Sequence, residues 1–597
     1  MAPMTKKSVS HYIVERLSNW GVQRIFGYTG DSINPFMGAL REAQEWMQFV
    51  QVRHEEMAAF MACAHAKFTG ELGVCCASAG PGTIHLLNGL YDAKLDNQPV
   101  VAIVGQVARH SMGTDYQQEV DLHSLLKDVA GDYVHVMNTA EQGRHLVDQA
   151  LRIAMAERTV TCIILPHDVA QMDAVETVPH KHTYSHTGIG FSTPKVMPLQ
   201  TDLQRAAEVL NAGKKVAILI GAGAQGATEE VMAVAERLGS GVAKALLGLQ
   251  VLAPDVPYVT GAIGLLGTQP SWEMMSECDT LLMLGTDFPY SEFLPKEGQA
   301  RGVQIDIRSR NLSKRYPMEV NLTGNCQETL QALLPLLNQK TERAWQEKLM
   351  RSIQKWQQVL RERAMLESVP LNPQRVYYEL FERMPNNAII TVDTGTSTVW
   401  YAQYHKFHRG MMGAVSGRLA SMGAGLPYAI AAKFAYPERP VIALVGDGAM
   451  QMNGLNELIT VQRYWQNWQT PQFIVLVLNN RELNFVTWEM RSMEGDPKFN
   501  ASQDLPDFPY AQYAESLGFK GIRLEAPEDI EPAWLEALHS DRPVVLEAYT
   551  TPDMPPLPPH ITFDQAKNYA AALLKGDSDA GAVMRNSFKQ MLETFTP

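Results

Sequence analysis

The sequence predicts an α/β protein: three doubly wound α/β domains in succession, followed by a C-terminal helical tail. Three observations carry this. Apolar runs of strand length alternate with helix-like stretches along most of the chain, as parallel sheets covered by helices require. Proline-containing segments at 189–199 and 551–559 interrupt that alternation. A chain of 597 residues is also too long for one hydrophobic core. The expected domains are 1–180, 195–345 and 370–550, with the tail at 560–597.

Composition narrows the function classes. A hydrophobic content of 46% with 19% charged residues describes a soluble globular protein. The net charge of −13 argues against nucleic acid as a partner and against a standing attraction to anionic membranes. The longest apolar runs are strand-length, so no transmembrane span is expected. The N-terminus, MAPMTKKSVSHYIVERL, lacks the apolar stretch of a secretory signal. Cysteines 63, 75, 76, 162, 278 and 326 form no CxxC pair and sit in apolar or small-residue contexts. They read as buried thiols of a cytoplasmic protein. The histidines supply no HxxxH-like pair, and no protein-only metal site emerges.

In the first domain, the runs RIFGY, MQFVQV, GVCCAS, VVAIVG and TCIILP read as strands. Arg53-His54-Glu55-Glu56 follows the second. Glu55 opens a helix whose first turns are nearly all small or apolar, a setting in which carboxyl groups hold their protons more tightly. Glu56 serves equally well as a helix N-terminal carboxylate facing the macrodipole, so the residues alone leave the two even. Gly80-Pro81-Gly82, after GVCCAS, is either a tight loop or a place where backbone approaches a ring or phosphate. Tyr116-Gln117-Gln118-Glu119 lies beyond another strand's C-terminal end, toward the same crevice.

The middle domain begins with VAILI, which runs into Gly221-Ala222-Gly223-Ala224-Gln225-Gly226. This has the spacing of a dinucleotide loop, a weak signal when alone. Two further strands end in Gly285-Thr286-Asp287-Phe288 and in Asp306-Ile307-Arg308, where an acidic residue suits a ribose hydroxyl. Residues 340–370 read as a charged surface helix and linker.

The third domain carries the strongest pattern. Its strand AIITVD leads into Thr394-Gly395-Thr396-Ser397, a candidate diphosphate loop. Met422, within Gly417–Pro427, reads as core on composition alone. The run VIALV ends in Gly446-Asp447-Gly448, and FIVLVL ends in Asn479-Asn480. Two buried strands joined by a helix form a βαβ unit, with ligands bound beyond the strands' C-terminal ends. Asp447 and Asn480 offer the oxygen ligands that Mg²⁺ prefers, with diphosphate oxygens completing the shell. Residues 449–478 lie between the two motifs, with a lengthened helix-to-strand loop at Tyr464–Trp468. After the polyproline spacer at 551–559, Met584, Phe588, Met591, Leu592 and Phe595 share one helix face. Docking on the protein's own surface is expected, with a membrane-contacting helix as the alternative.

With RHEE, GPG, a central GxG domain and GDG…NN in this order, the chain resembles thiamine diphosphate (ThDP) enzymes of the pyruvate oxidase/acetolactate synthase family. Shared runs with quinone-type pyruvate oxidases are TGDS (29–32), RHEEMAAF, GPGTIHLLNGL (80–90), LGTDFPY (284–290), STVW (397–400) and LPPHITFDQAK (557–567). The resemblance implies an aminopyrimidine-binding first domain, a FAD-binding middle domain and a third domain that binds diphosphate and Mg²⁺. It makes Glu55 the activator of the coenzyme. It assigns the metal to Asp447, the Asn480 side chain and the Glu482 carbonyl. ThDP contacts fall to Gly80, Gly82, Gly395, Thr396, Gly446, Gly448 and Ala449, with Met422 propping the coenzyme into its V shape. FAD contacts fall to Gly221, Gly223, Gly285, Asp287, Phe288 and Asp306.

The implied chemistry is decarboxylation of pyruvate or a close analogue through a hydroxyethyl enamine. Oxidases pass the electrons to FAD and then to quinone or oxygen. Synthases join the enamine to a second 2-oxo acid, with FAD as a bystander. Phe485 matches the oxidase aromatic, and Glu489 stands where synthases carry tryptophan. Two departures stand out: Gln117-Gln118-Glu119 replaces Phe-Gln-Glu, and Asn484 replaces a glycine. A silent ThDP/FAD-fold binding module is the third reading, disfavoured because Glu55 and Asp447 are both present. The family implies a homodimer as the minimal active unit and a homotetramer as the usual assembly.

Overall fold

Three six-stranded sheets form in sequence, from strands spanning 24–166, 216–323 and 389–549. The strand pairings are parallel. The computed structural model describes residues 7–177, 179–560 and 563–595, without the side chains of 563, 588 and 591–595. Four of the five tail positions expected on one face (588, 591, 592 and 595) therefore lie outside the described side chains.

Parallel strands covered on both faces need near-continuous apolar sequence. Phe473–Asn479 is buried at every position, and so is Val441–Gly446 up to its last residue. Counting strands within each sheet, the first and third share the order 2-1-3-4-6-5, while the middle sheet runs 3-2-1-4-5-6. Each order has a switch point where neighbouring strands send their connections to opposite faces, opening a crevice there.

The first and third domains share one core. The helix Glu55–Thr69 is almost entirely small and apolar, which lets it lie close against the equally apolar helix Gly425–Ala435. Phe60 meets Tyr428 edge-on across this contact, ring centroids 6.3 Å apart. The lengthened segment of the third domain joins the same interface. After the helix Leu455–Tyr464, the Tyr464 hydroxyl accepts the Gln51 N–H at 2.9 Å. The middle domain keeps its own core on both faces of its sheet.

The linker helix, Ala344–Met365, is a surface helix on one side only. Trp345, Leu349, Ile353, Trp356 and Leu360 form a buried stripe at helical spacing. The tail forms the helices Phe563–Leu574 and Ala580–Phe595, with Ala572 and Val583 buried. Among the described residues no helix is long and apolar enough to cross a membrane. All six cysteines are buried and free.

Candidate active site

The third sheet's switch point lies between Ile389–Val392 and Val441–Gly446. Asp447 follows the second strand and is 3% exposed. Its carboxylate accepts the N–H groups of Gly448 (2.8 Å), Asn480 (2.9 Å) and Arg481 (2.5 Å). Burial pushes its pKa up to about 7, against the pull of those N–H donors. Asn480 Oδ1 accepts the Glu482 N–H at 3.0 Å, so it lies beside the same turn. Arg481 makes that turn with φ of +58°. The Glu482 carboxylate points elsewhere, to Lys498 (2.6 Å) and the Asn484 amide (3.1 Å).

Around this carboxylate the main chain is left open. A Cβ added at Gly395, where φ is +129°, would meet nothing within 4 Å. One at Gly446 would meet only Ser397 Oγ, at 3.9 Å. The helix Thr396–Tyr404 begins at Gly395 with no side-chain cap, leaving its first N–H groups to a ligand. At Gly448 a Cβ would lie 2.7 Å from Leu483 Cδ2 and 4.0 Å from Met422 Sδ, which places Met422 beside the motif. Ala449 is buried behind it. Fully buried Asp393 holds the chain next to Met422 by accepting the N–H groups of Gly423 (2.9 Å) and Gly425 (2.7 Å). An open glycine cradle, free helix N–H groups and a buried carboxylate with a neighbouring amide oxygen fit a metal-bound diphosphate.

The first domain gathers a second set. Glu55 Oε2 lies 2.9 Å from His85 Nδ1, and a Cβ at Gly82 would stand 3.3 Å from Glu55 Oε1. His54 stacks on His85 with centroids 4.3 Å apart. Gly80 has φ of +58°, and its Cβ would meet the Gln118 carbonyl at 2.8 Å. Glu55, Gly80, Gly82 and Gln118 are thus neighbours, while Gln117 and Gln118 expose their side chains. The two adjacent glutamates diverge. Glu56 accepts from Asn88 (2.5 Å) and from Asn453 of the third domain (3.1 Å), a role in joining domains.

His85 was not singled out in the sequence, although it lies one helical turn after Gly82. His54, Glu55 and His85 bring one ligand atom each within 4.8 Å of one another. The three side chains come from the starts of two helices, a grouping that spacing along one helix does not reveal.

In the middle sheet, Gly221 and Gly285 end the two strands that flank the switch point. The Gly221 N–H donates to Leu284 O and the Gly223 N–H to Gly285 O, both at 3.0 Å. Only glycines fit, since a Cβ on Gly223 would stand 2.7 Å from Gly285 Cα. Phe288 and Asp287 are buried beyond this crossing, and Asp287 pairs with Arg418 of the third domain. Asp306 is 4% exposed and accepts from the Arg308 N–H (2.8 Å) and the Asn311 amide (3.2 Å).

Phe485 and Glu489 share a cavity of about 1060 Å³ with Trp488, Leu265, Trp356 and Tyr569. Burial raises the Glu489 pKa. Asn484 is turned away from that space, its amide donating to Glu482 and to Pro552 O at 2.8 Å. It fastens the start of the proline segment, which the sequence did not disclose.

Comparison with known proteins agrees with this layout. Residues 7–125 match the N-terminal thiamine pyrophosphate (TPP) binding domain of thiamine pyrophosphate enzymes, 203–333 their central domain and 393–548 their C-terminal TPP binding domain. A putative thiamine pyrophosphate-containing protein of Bacillus subtilis, YdaP, is 36% identical over 96% of both chains. The pyruvate oxidase of Lactiplantibacillus plantarum is 29% identical over 94% of this chain and 91% of its own. Acetolactate synthase isozyme 2 large subunit of Escherichia coli is also 29% identical, over 96% and 98%.

Proposed function

The chain belongs to the pyruvate oxidase/acetolactate synthase group of the thiamine pyrophosphate enzyme family, and on that premise we propose that it decarboxylates pyruvate or a close analogue and oxidises the product through FAD. The observation that carries the first half is the Asp447 turn beside an open glycine cradle and an uncapped helix. Asp447, the Asn480 side chain and the Glu482 carbonyl would hold Mg²⁺. The carbonyl is Glu482's contribution because Lys498 and Asn484 occupy its carboxylate. Gly395, Thr396, Gly446, Gly448 and Ala449 would receive the diphosphate.

Bound thiamine diphosphate supplies an acidic carbon that adds to the keto group and then stores the electron pair left by CO₂. Glu55 would hydrogen-bond the aminopyrimidine, with His85 fixing its carboxyl group. Gly80, Gly82 and Gln118 would approach the coenzyme from the same side, and Met422 would support its bend. Glu55 and Asp447 belong to different domains, and Glu55 faces His85 and Gly82 rather than the third domain. The reading therefore pairs Glu55 of one protomer with Asp447 of its partner, in a homodimer that assembles into a homotetramer.

The interlocked glycines at the middle switch point support FAD, with Asp287, Phe288 and Asp306 nearby. Phe485 at the oxidase aromatic's position, with Glu489 where synthases carry tryptophan, supports oxidation over carboligation, while the Trp488 indole adds bulk to the same cavity. Carboligation to a second 2-oxo acid is the competing reading, supported by equal similarity to a synthase. Quinone or oxygen would be the final acceptor. Anaerobic addition of pyruvate to the protein loaded with thiamine diphosphate, Mg²⁺ and FAD separates the two: oxidation bleaches the flavin. A persistent yellow colour with acetolactate accumulating would reject it.

A further inference from the structure

The segment that delivers Met422 is held on its C-terminal side by Asp393 of its own domain, but on its N-terminal side by the first domain. Lys67 Nζ donates to the Val415 carbonyl (2.8 Å) and to Asp96 (2.7 Å). Asp96 in turn accepts the N–H groups of Gly417 (2.9 Å) and Arg418 (3.0 Å). The Ser416 hydroxyl donates to Asp92 at 2.7 Å, and the same oxygen accepts the Ser421 N–H at 3.0 Å. Asn88 donates to the Ser421 hydroxyl at 2.8 Å. Asp92, Asp96 and Ser416 are all buried.

Residues 415, 416, 417, 418 and 421 are thus each tied, directly or through Ser416, to side chains of the first domain. Met422 follows at once. Ala420 holds φ of +53° within the loop, a conformation kept only where the surroundings impose it. Burial alone would lower Lys67, but Asp92 and Asp96 outweigh it and raise its pKa, so Lys67 remains an ammonium ion at neutral pH. Two buried aspartates and one ammonium form a hydrogen-bonded, water-poor frame from which the loop hangs.

We propose that Asp96, with Lys67 and Asp92, is a positioning residue for the coenzyme: it sets where Met422 stands and hence how readily the coenzyme's C2 loses its proton. This rests on the reading of Met422 as the support for the bent coenzyme. The domain that carries Glu55 would then place the acid of one site and, through the loop of its own chain, the prop of the other. Displacement of such a support by even ~1 Å can cost about 100-fold in rate.

The test uses the full-length protein loaded with thiamine diphosphate and Mg²⁺. Hydrogen–deuterium exchange at C2 is read by quenched-flow NMR, and coenzyme affinity by tryptophan fluorescence. Asp96→Asn and Ser416→Ala are expected to keep the coenzyme bound yet slow exchange by about 10- to 100-fold. Met422→Ala should slow it too, and Asp96→Asn added to Met422→Ala should slow it no further. Parental exchange in Ser416→Ala and Asp96→Asn, with slow exchange in Met422→Ala, would overturn the proposal alone. Parental exchange in Met422→Ala would instead overturn the reading of Met422 on which it stands. If Asp96→Asn does not fold, Ser416→Ala, which loses only a hydroxyl, decides.

Discussion

Arg491 and Asp577 meet in a two-pronged ion pair, the guanidinium Nε and Nη2 each 2.8 Å from a separate carboxylate oxygen. Arg491 is 1% exposed and also reaches Asp579 at 3.0 Å. The pair ties the tail to the segment that carries Phe485 and Glu489. Removing Asp577 leaves the buried guanidinium with Asp579 alone, at a cost of up to about 3 kcal/mol. Asp577→Ala should lower the denaturation midpoint and make the tail the first site of limited proteolysis. An unchanged cleavage pattern would show that the tail docks by other means.

The two adjacent glutamates should separate cleanly by mutation. Glu55→Gln is expected to lower turnover by more than about 100-fold while leaving coenzyme affinity intact. Glu56→Gln should instead cost about 1–3 kcal/mol of stability, because Asn88 and Asn453 lose a charged acceptor. Steady-state kinetics and urea melts on both variants check the assignment. Full activity in Glu55→Gln would remove it from the chemistry.

Gly80 combines a positive φ with a carbonyl where a Cβ would go, 2.8 Å away at Gln118. Gly80→Ala should therefore destabilise the protein by about 1–3 kcal/mol and push the Gln118 loop outward. Calorimetry reads the first effect, and hydrogen exchange of residues 113–120 the second.

Glu457 offers a test of pH dependence. It is fully buried, and burial pushes its pKa up to about 7, partly opposed by the Arg53 N–H at 3.0 Å. A raised folded-state value means its contribution is fully present below the unfolded value of about 4.5 and is lost as pH rises through about 7. Glu457→Gln removes that ionisation. The variant should match the parent near pH 4 and exceed it above pH 7 by up to about 3 kcal/mol. Melting temperatures across this range give the answer, and parallel curves would refute it.

Legibility in the sequence followed physical locality. The strands ending at Gly446 and Asn479 announce themselves because burial on both faces demands unbroken apolar runs. Asp447 and Asn480 are readable because each immediately follows its strand. The Gly80–Gln118 contact is not readable, since it depends on how two loops of different strands cross. His85 was hidden for the same reason, as its partner Glu55 lies on another helix. Asn484 stands in sequence as a departure from an expected glycine, and only the fold shows that its amide serves Glu482 and Pro552. The Arg491–Asp577 pair joins charges that in sequence resemble ordinary solvated residues.

The bond from the Gln51 N–H to the Tyr464 hydroxyl, with Arg53 N–H on Glu457 beside it, bears on heredity. Hybrids that exchanged the first domain for a cousin's while keeping the third would leave both acceptors, the Tyr464 hydroxyl and the Glu457 carboxylate, facing strangers. These two modules must be inherited together.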